Sequence, residues 1–150
     1  MASLIVEELN ELFESGLQGD DYLRQTAELI QKHFPRYNWV GFYFLKDNKL
    51  HVGPYVGKPT PHTVIDLNKG VCGAAVSQEK TIVVDDVNDD PRYLACSLET
   101  RSEIVIPIRV GGEIIGELDI DSDKKAAFSA DDRRTLEEVV ALIEKAIESF

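Results

Sequence analysis

The sequence is poor in cysteine and in basic residues, and it has no long apolar run. Only two of its 150 residues are cysteines, and 16 lysines and arginines stand against 27 acids, for a net charge of −11. Such acidity argues against a nucleic-acid partner and against binding to anionic membrane surfaces. No apolar stretch approaches the roughly 18–20 residues of a membrane span. No basic residue precedes the apolar part of the N-terminal segment, which argues against a secretory signal.

These absences favour a cytoplasmic protein with a conventional core. A length of 150 residues suits a single domain over residues 1–150, and 43% hydrophobic with 29% charged residues is an ordinary globular balance. In a cytoplasmic chain, two cysteines are expected to be reduced or used for chemistry rather than joined in a structural disulfide.

Hydrophobic periodicity predicts the order helix, helix, hairpin, short helix, strand, hairpin, helix. The predicted elements are helices over 4–17 and 22–34, strands over 39–45 and 50–56, a helix over 70–76, strands over 81–84, 103–110 and 113–121, and a last helix capped by Ser129. Tight turns join the strands of each hairpin. We therefore predict an α+β fold, an antiparallel sheet with helices packed on one side and the N- and C-terminal helices together. Apolar stripes left over on those terminal helices predict a homodimer.

Three carboxylates stand near strand ends. Asp119 and Asp121 alternate with Leu118 and Ile120, so period-two geometry puts both acids on one face of a strand. Glu103 lies at the mouth of another apolar strand. A solvated strand edge is the plain interpretation, and we expect Glu117 to be partly of that kind. Acids in the middle of an apolar strand are costly unless they bind something, which favours a site.

The cysteines and aromatic residues each have a structural and a functional interpretation. Cys96 follows a polar loop, which favours catalysis over burial as a small hydrophobe. For Cys72, near a predicted helix start, packing and a redox role stay equally open. Trp39 and Tyr43 lie on the same strand face, where aromatic side chains ordinarily belong to the core.

The three histidines, His33, His51 and His62, show no metal-ligand spacing with the cysteines. We interpret them as structural or surface residues and predict no metal site.

Seven short motifs follow one another along the chain. They are Asn38-Trp39-Val-Gly-Phe-Tyr43, Gly53-Pro-Tyr-Val-Gly-Lys58, Gly70-Val-Cys-Gly73, Asp85-Asp-Val87, Ala95-Cys96, Ser102-Glu-Ile-Val-Ile-Pro107 and Leu118-Asp-Ile-Asp-Ser122. In this order they resemble the free methionine-(R)-sulfoxide reductases, enzymes built on a single GAF domain that reduce the free amino acid. The likeness runs from about Trp39 to Phe128.

The resemblance implies a role for each matching residue. Cys96 would attack the sulfoxide, and Cys72 matches a second cysteine of the family. The substrate-binding residues that it implies are Trp39, Tyr43, Glu103, Asp119 and Asp121. The loop from Lys58 to Lys69 departs from the pattern, because it lacks the resolving cysteine that many members carry there. Recycling then depends on Cys72 or on an external thiol.

The expected reaction is reduction of free L-methionine-(R)-sulfoxide by a cysteine thiolate, through a sulfenic acid and a disulfide. The implied partners are free methionine sulfoxide and a thioredoxin-like reductant, and no cofactor is implied. One carboxylic acid, Asp121 or Glu103, would protonate the sulfoxide oxygen, while Asp119 would hold the ammonium group. Two alternatives are a non-catalytic GAF domain that senses a small ligand and a plain dimerisation module.

Overall fold

Two hairpins form the centre of the sheet in a computed structural model that describes residues 2–93 and 99–150. Strands β1 (Tyr37–Lys46) and β2 (Lys49–Val56) are joined through Asp47 and Asn48. Both residues have positive φ, 55° and 61°, as a two-residue turn between right-twisted strands requires. Strands β5 (Ser102–Val110) and β6 (Glu113–Ser122) are joined through Gly111 and Gly112, which also have positive φ.

Short strands complete a six-stranded antiparallel sheet. They are β3 (Val64–Asp66) and β4 (Ile82–Val84), and the strand order is β3-β2-β1-β6-β5-β4. Pairing of β1 with β6 brings together segments about 80 residues apart, with Trp39 opposite Asp121 and Gly41 opposite Asp119. This pairing joins the two hairpins and places one end of each beside the other.

Three helices cover one face of the sheet, as the sequence predicted. They are α1 (Ala2–Glu14), α2 (Gly19–His33) and α4 (Ala130–Ser149). Alternate strand residues, among them Val40, Phe42 and Ile104, pack with these helices in one apolar cluster. Among the described residues, none of the helices combines the length and apolar character that crossing a bilayer requires.

The opposite face carries a smaller apolar cluster under helix α3 (Gly70–Gln78). Trp39, Tyr43 and Val105 belong to this cluster, because odd and even residues of a strand point to opposite faces. A 3₁₀ turn, Val87–Asp89, lies in the polar loop that follows β4. The second face therefore holds Trp39, Tyr43 and Cys72, three of the residues that the sequence analysis singled out.

Some predicted details were wrong. The predicted start of α2 was residue 22, whereas the helix begins at Gly19. Gln18 is its N-cap without a side-chain hydrogen bond, and Asp20 and Asp21 lie in its first turn. α1 ends at Glu14, three residues before its predicted end, and Ile5 and Leu9 are buried whereas Leu4 is half exposed. The predicted cap of α4 is confirmed, because Ser129 and Asp132 form a capping box.

Candidate active site

Three alternate acids of β6 point to the face covered by α3. Glu117, Asp119 and Asp121 are buried, with at most 2% of each residue exposed. The predicted alternation is therefore confirmed, since Leu118 and Ile120 lie in the cluster on the other face. The interpretation of Glu117 as a partly solvated edge was wrong. β6 lies between β1 and β5, so neither of its edges meets solvent at this point.

Glu103 joins this row from the neighbouring strand. It lies opposite Asp121 in the pairing of β5 with β6, and it forms hydrogen bonds with both Asp119 and Asp121. Burial raises the pKa of Asp119, and burial together with the charge of Asp119 raises the pKa of Asp121. One oxygen of each aspartate has no hydrogen-bond partner among the described residues. These surroundings therefore favour the protonated forms of Asp119 and Asp121 more than water does.

Cys72 reaches the same acids from α3. It is the third residue of that helix and is 5% exposed. Its Sγ and one oxygen each from Glu103 and Asp119 lie within 4.8 Å of one another. Burial raises the pKa of the thiol, and the charges of Asp119, Glu117 and Glu103 raise it further. Cys72 is therefore a protonated thiol at neutral pH, in a donor set that could hold a metal ion.

Two aromatic side chains line the site and donate hydrogen bonds to the loop that follows β2. Trp39 stacks on Tyr55 with ring centroids 5.0 Å apart, and its Nε1 donates a hydrogen bond to the Lys58 carbonyl at 3.1 Å. The Tyr43 hydroxyl donates to the His62 carbonyl at 2.9 Å. Both aromatic residues are buried, which confirms the structural interpretation, and each also lines a cavity; their contact with substrate stays a prediction.

Two cavities of different size adjoin the carboxylates. The larger, of about 310 Å³, is lined by Asn38, Trp39, Gly57, Lys58, Pro59, Thr60, Glu99, Thr100, Asp121 and Asp123. The smaller, of about 10 Å³, is lined by Tyr43, His62, Ile65, Gly70, Val71, Cys72, Glu103 and Asp119. Small-molecule sites begin at roughly 300 Å³, so only the larger cavity has room for an amino acid.

Sequence reasoning missed two residues that face the acids. His62 lines the smaller cavity together with Glu103 and Asp119. No pattern in the loop sequence indicates this position of His62, because it depends on the hydrogen bond from the Tyr43 hydroxyl to the His62 carbonyl. The face of Glu117 could have been predicted, since it continues the alternation of Asp119 and Asp121, but its burial depends on the pairing of β6 with β1 and β5. Cys96 lies outside the described residues.

Comparison with known sequences gives matches over most of the chain. The family model described as GAF domain matches residues 18–147. A protein of Escherichia coli called free methionine-R-sulfoxide reductase is 38% identical, with 83% of this chain and 75% of that protein aligned.

Solved structures give the same result. The type II free methionine-R-sulfoxide reductase from Thermoplasma acidophilum is 40% identical, with a TM-score of 0.84 over 93% of this chain and 96% of that one. A Staphylococcus aureus protein, called fRMsr and solved in complex with substrate, is 38% identical, with a TM-score of 0.90 over 97% and 95%.

Proposed function

Because the chain belongs to the GAF-domain family of free methionine-R-sulfoxide reductases, we propose that it reduces free L-methionine-(R)-sulfoxide to methionine. The observation that carries this proposal is the cavity of about 310 Å³ in which an indole and a buried carboxyl group meet. Trp39 offers an apolar surface for the thiomethyl end. Asp121 offers a proton or a negative charge at the reacting end.

Oxygen transfer to a thiol is the first step. Cys96 attacks the sulfoxide sulfur as a thiolate, while a carboxylic acid protonates the oxygen. The oxygen then passes to the cysteine, so that methionine and a sulfenic acid are formed from the sulfoxide and the thiol. No outside oxidant or reductant enters this step.

Asp121 is the carboxyl group that we assign to the sulfoxide oxygen. It lines the larger cavity, whereas Asp119 lines only the smaller one. Glu103 bonds to both aspartates and can pass a proton from one to the other. The raised pKa of Asp121 supports this role, because an acid must still hold its proton at neutral pH to donate it. Asp119, which the sequence analysis assigned to the ammonium group, does not line the larger cavity, so we assign it together with Glu103 to positioning Asp121 and its proton.

Recycling requires a second thiol. Condensation of the Cys96 sulfenic acid with the Cys72 thiol forms a disulfide and releases water. A thioredoxin-like dithiol then reduces that disulfide, and its own sulfurs become the new disulfide. The raised pKa keeps the Cys72 thiol protonated in the resting protein, so its proton must pass to a neighbouring carboxylate as the sulfur attacks the sulfenic acid. Such thiol chemistry needs a reducing compartment, and we propose the cytoplasm.

Turnover of free methionine sulfoxide with a small dithiol tests the proposed activity. We expect methionine from the R epimer of the free amino acid and little from an internal methionine sulfoxide of a peptide, which lacks the ammonium group. Asp121→Asn should lower kcat by about 10²–10⁴-fold, the usual contribution of a general acid.

Asp66→Asn is the matched control for that variant, since the Asp66 side chain is about half exposed and lies outside both cavities. It should turn over normally. Binding of the sulfoxide without any methionine would reject the enzyme assignment in favour of a sensor domain. Equal turnover of peptide and free amino acid would reject the substrate assignment.

Intact mass after one turnover without reductant tests the role of Cys72. We expect the loss of two hydrogens and a peptide that links Cys72 to Cys96. Cys72→Ser should still form one equivalent of methionine but should lose thioredoxin-driven turnover. A gain of one oxygen on Cys96 with Cys72 still free would show that an external thiol resolves the sulfenic acid instead.

A further inference from the structure

The smaller cavity has the size of a single atom and the lining of a cation site. Its volume is about 10 Å³, close to the minimum that holds one water molecule, so an amino acid cannot enter it. Its polar lining includes Cys72, Glu103 and Asp119, which are exposed by 5%, 4% and 2%. A void so small and so acidic is suited to a compact cation rather than to an organic ligand.

The three donor atoms are close enough to share one ion. The Cys72 Sγ and one oxygen from each carboxylate lie within 4.8 Å of one another. A tetrahedral ion with bonds of about 2.0–2.3 Å holds its ligands roughly 3.3–3.8 Å apart. Side-chain adjustments of about 1 Å therefore close the set around an ion. The three ligands come from α3, β5 and β6. β5 and β6 are paired in the sheet, and α3 packs on that sheet, so all three elements are kept in place.

An unpartnered oxygen gives a second, independent indication of a ligand. Asp119 Oδ1 is buried and has no hydrogen-bond partner among the residues that the structure describes. A buried polar atom without a partner costs about 1–3 kcal/mol, and more for a charged group. Asp119 lines the cavity, so an ion placed there would satisfy this atom.

We propose that this cavity binds one zinc-class divalent cation through the Cys72 thiolate, Glu103 and Asp119. A soft sulfur ligand with two carboxylates favours Zn²⁺, Co²⁺ or Cd²⁺ over Mg²⁺ and Ca²⁺, which take oxygen ligands. The ion enters as the thiol and carboxyl protons leave to solvent, and no electrons are transferred. Three protein ligands leave a fourth position to water, as in open zinc sites.

The bound ion would inhibit rather than assist the chemistry. It occupies the thiol that recycling needs, and it holds Glu103, which otherwise bonds to Asp121. This consequence rests on the proposed function, whereas the binding itself does not. Zinc should therefore slow thioredoxin-driven turnover, and a chelator should restore it.

Cobalt titration of the reduced, chelator-treated full chain tests the binding without any substrate. We expect one equivalent of Co²⁺ to give a thiolate-to-cobalt charge-transfer band and Zn²⁺ to displace it. Cys96→Ser should keep the band and Cys72→Ser should lose it. Asp119→Asn should weaken cobalt binding at least tenfold, whereas the exposed Asp66→Asn should not change it. Far-ultraviolet circular dichroism checks that each variant is folded.

Two results would overturn the proposal. One is the absence of a charge-transfer band at millimolar Co²⁺, and the other is a band that survives in Cys72→Ser but disappears in Cys96→Ser. A protein that reduces methionine sulfoxide but shows no band refutes the cation site and leaves the reductase assignment intact. A charge-transfer band in a protein without reductase activity supports the cation site and refutes the reductase assignment.

Discussion

At the scale of single residues, Gly41 determines where the indole of Trp39 lies. A Cβ at position 41 would come within 2.5 Å of both Trp39 Cη2 and Tyr55 Cβ. Only glycine therefore lets Trp39 stack on Tyr55 and hold the Lys58 carbonyl. The position of Trp39 in the wall of the larger cavity thus depends on the absence of a side chain at Gly41.

Gly41→Ala should displace the indole and disturb the cavity. We expect KM for free methionine sulfoxide to rise about tenfold, which corresponds to roughly 1.4 kcal/mol of binding free energy. Overpacking should also lower the free energy of unfolding by about 1–3 kcal/mol. Steady-state kinetics and urea unfolding measure the two effects.

Gly53→Ala is the matched control on the neighbouring strand. Its Cβ would meet the edge of the Phe44 ring at 3.1 Å, a contact that a small ring movement relieves. We expect KM to stay unchanged in this variant. An unchanged KM in Gly41→Ala as well would show that the Trp39 wall does not contact the substrate.

At the scale of elements, the start of α4 is fastened to the start of β1. The Ser129 Oγ accepts the Asp132 backbone N–H at 3.1 Å, and Asp132 Oδ2 accepts the Ser129 N–H at 3.0 Å. Arg36 also donates to Asp132 Oδ2 at 2.6 Å. Burial tends to raise the pKa of Asp132, but the hydrogen bonds from Arg36 and Ser129 outweigh it, so the pKa is lowered. The capping box therefore also joins a helix to the sheet.

Asp132→Asn should destabilise the fold in a pH-dependent way. A carboxylate with a lowered folded-state pKa stabilises the protein above its unfolded pKa of about 3.9 and loses this effect as the pH falls through the folded value. We expect a loss of about 1–2 kcal/mol at pH 7. The difference from the parent protein should shrink towards pH 3 in urea unfolding series.

Asp131→Asn is the control for that prediction. Asp131 lies in the same first turn, but its side chain is 84% exposed. Its removal should cost only a few tenths of a kcal/mol. A pH-independent loss in Asp132→Asn would mean that shape rather than charge at this position supports the helix.

At the scale of the whole molecule, most of the apolar stripe of the terminal helices is used within the chain. α1 and α4 contact each other, and α1 also packs on α2. Leu4 and Phe150, at the two ends of the described chain, remain 49% and 43% exposed. A second copy packed against such a side chain would remove its apolar area from water. The homodimer stays a prediction, and Leu4 is the position at which we test it.

Sedimentation equilibrium at micromolar concentration should give twice the mass of the chain. Leu4→Glu should shift the equilibrium to monomer, because a buried charge without a partner weakens an interface. Val64→Glu is the matched control, since Val64 is equally exposed at 49% but lies on the edge strand β3. A monomeric parent protein would contradict the prediction outright, and equal effects of both variants would contradict its location.

Local pattern determined the elements and the faces of the chain. Period-two alternation placed Asp119 and Asp121 on one face, and turn residues at 46–49 and 111–112 marked both hairpins, because these signals depend on neighbours only. The Ser129 cap was predictable for the same reason. The ordered motifs then indicated the family, since each motif is a local string of residues.

Only the tertiary structure decided what those faces meet. Pairing of β1 with β6 sets Trp39 opposite Asp121, and pairing of β5 with β6 sets Glu103 there as well. These contacts depend on the register between distant strands, which no local window contains. The same pairing makes β6 an inner strand, so Glu117 is buried although its own sequence fits a solvated edge. His62 reaches the acids because a loop is tied to Tyr43, a contact across the fold rather than along the chain.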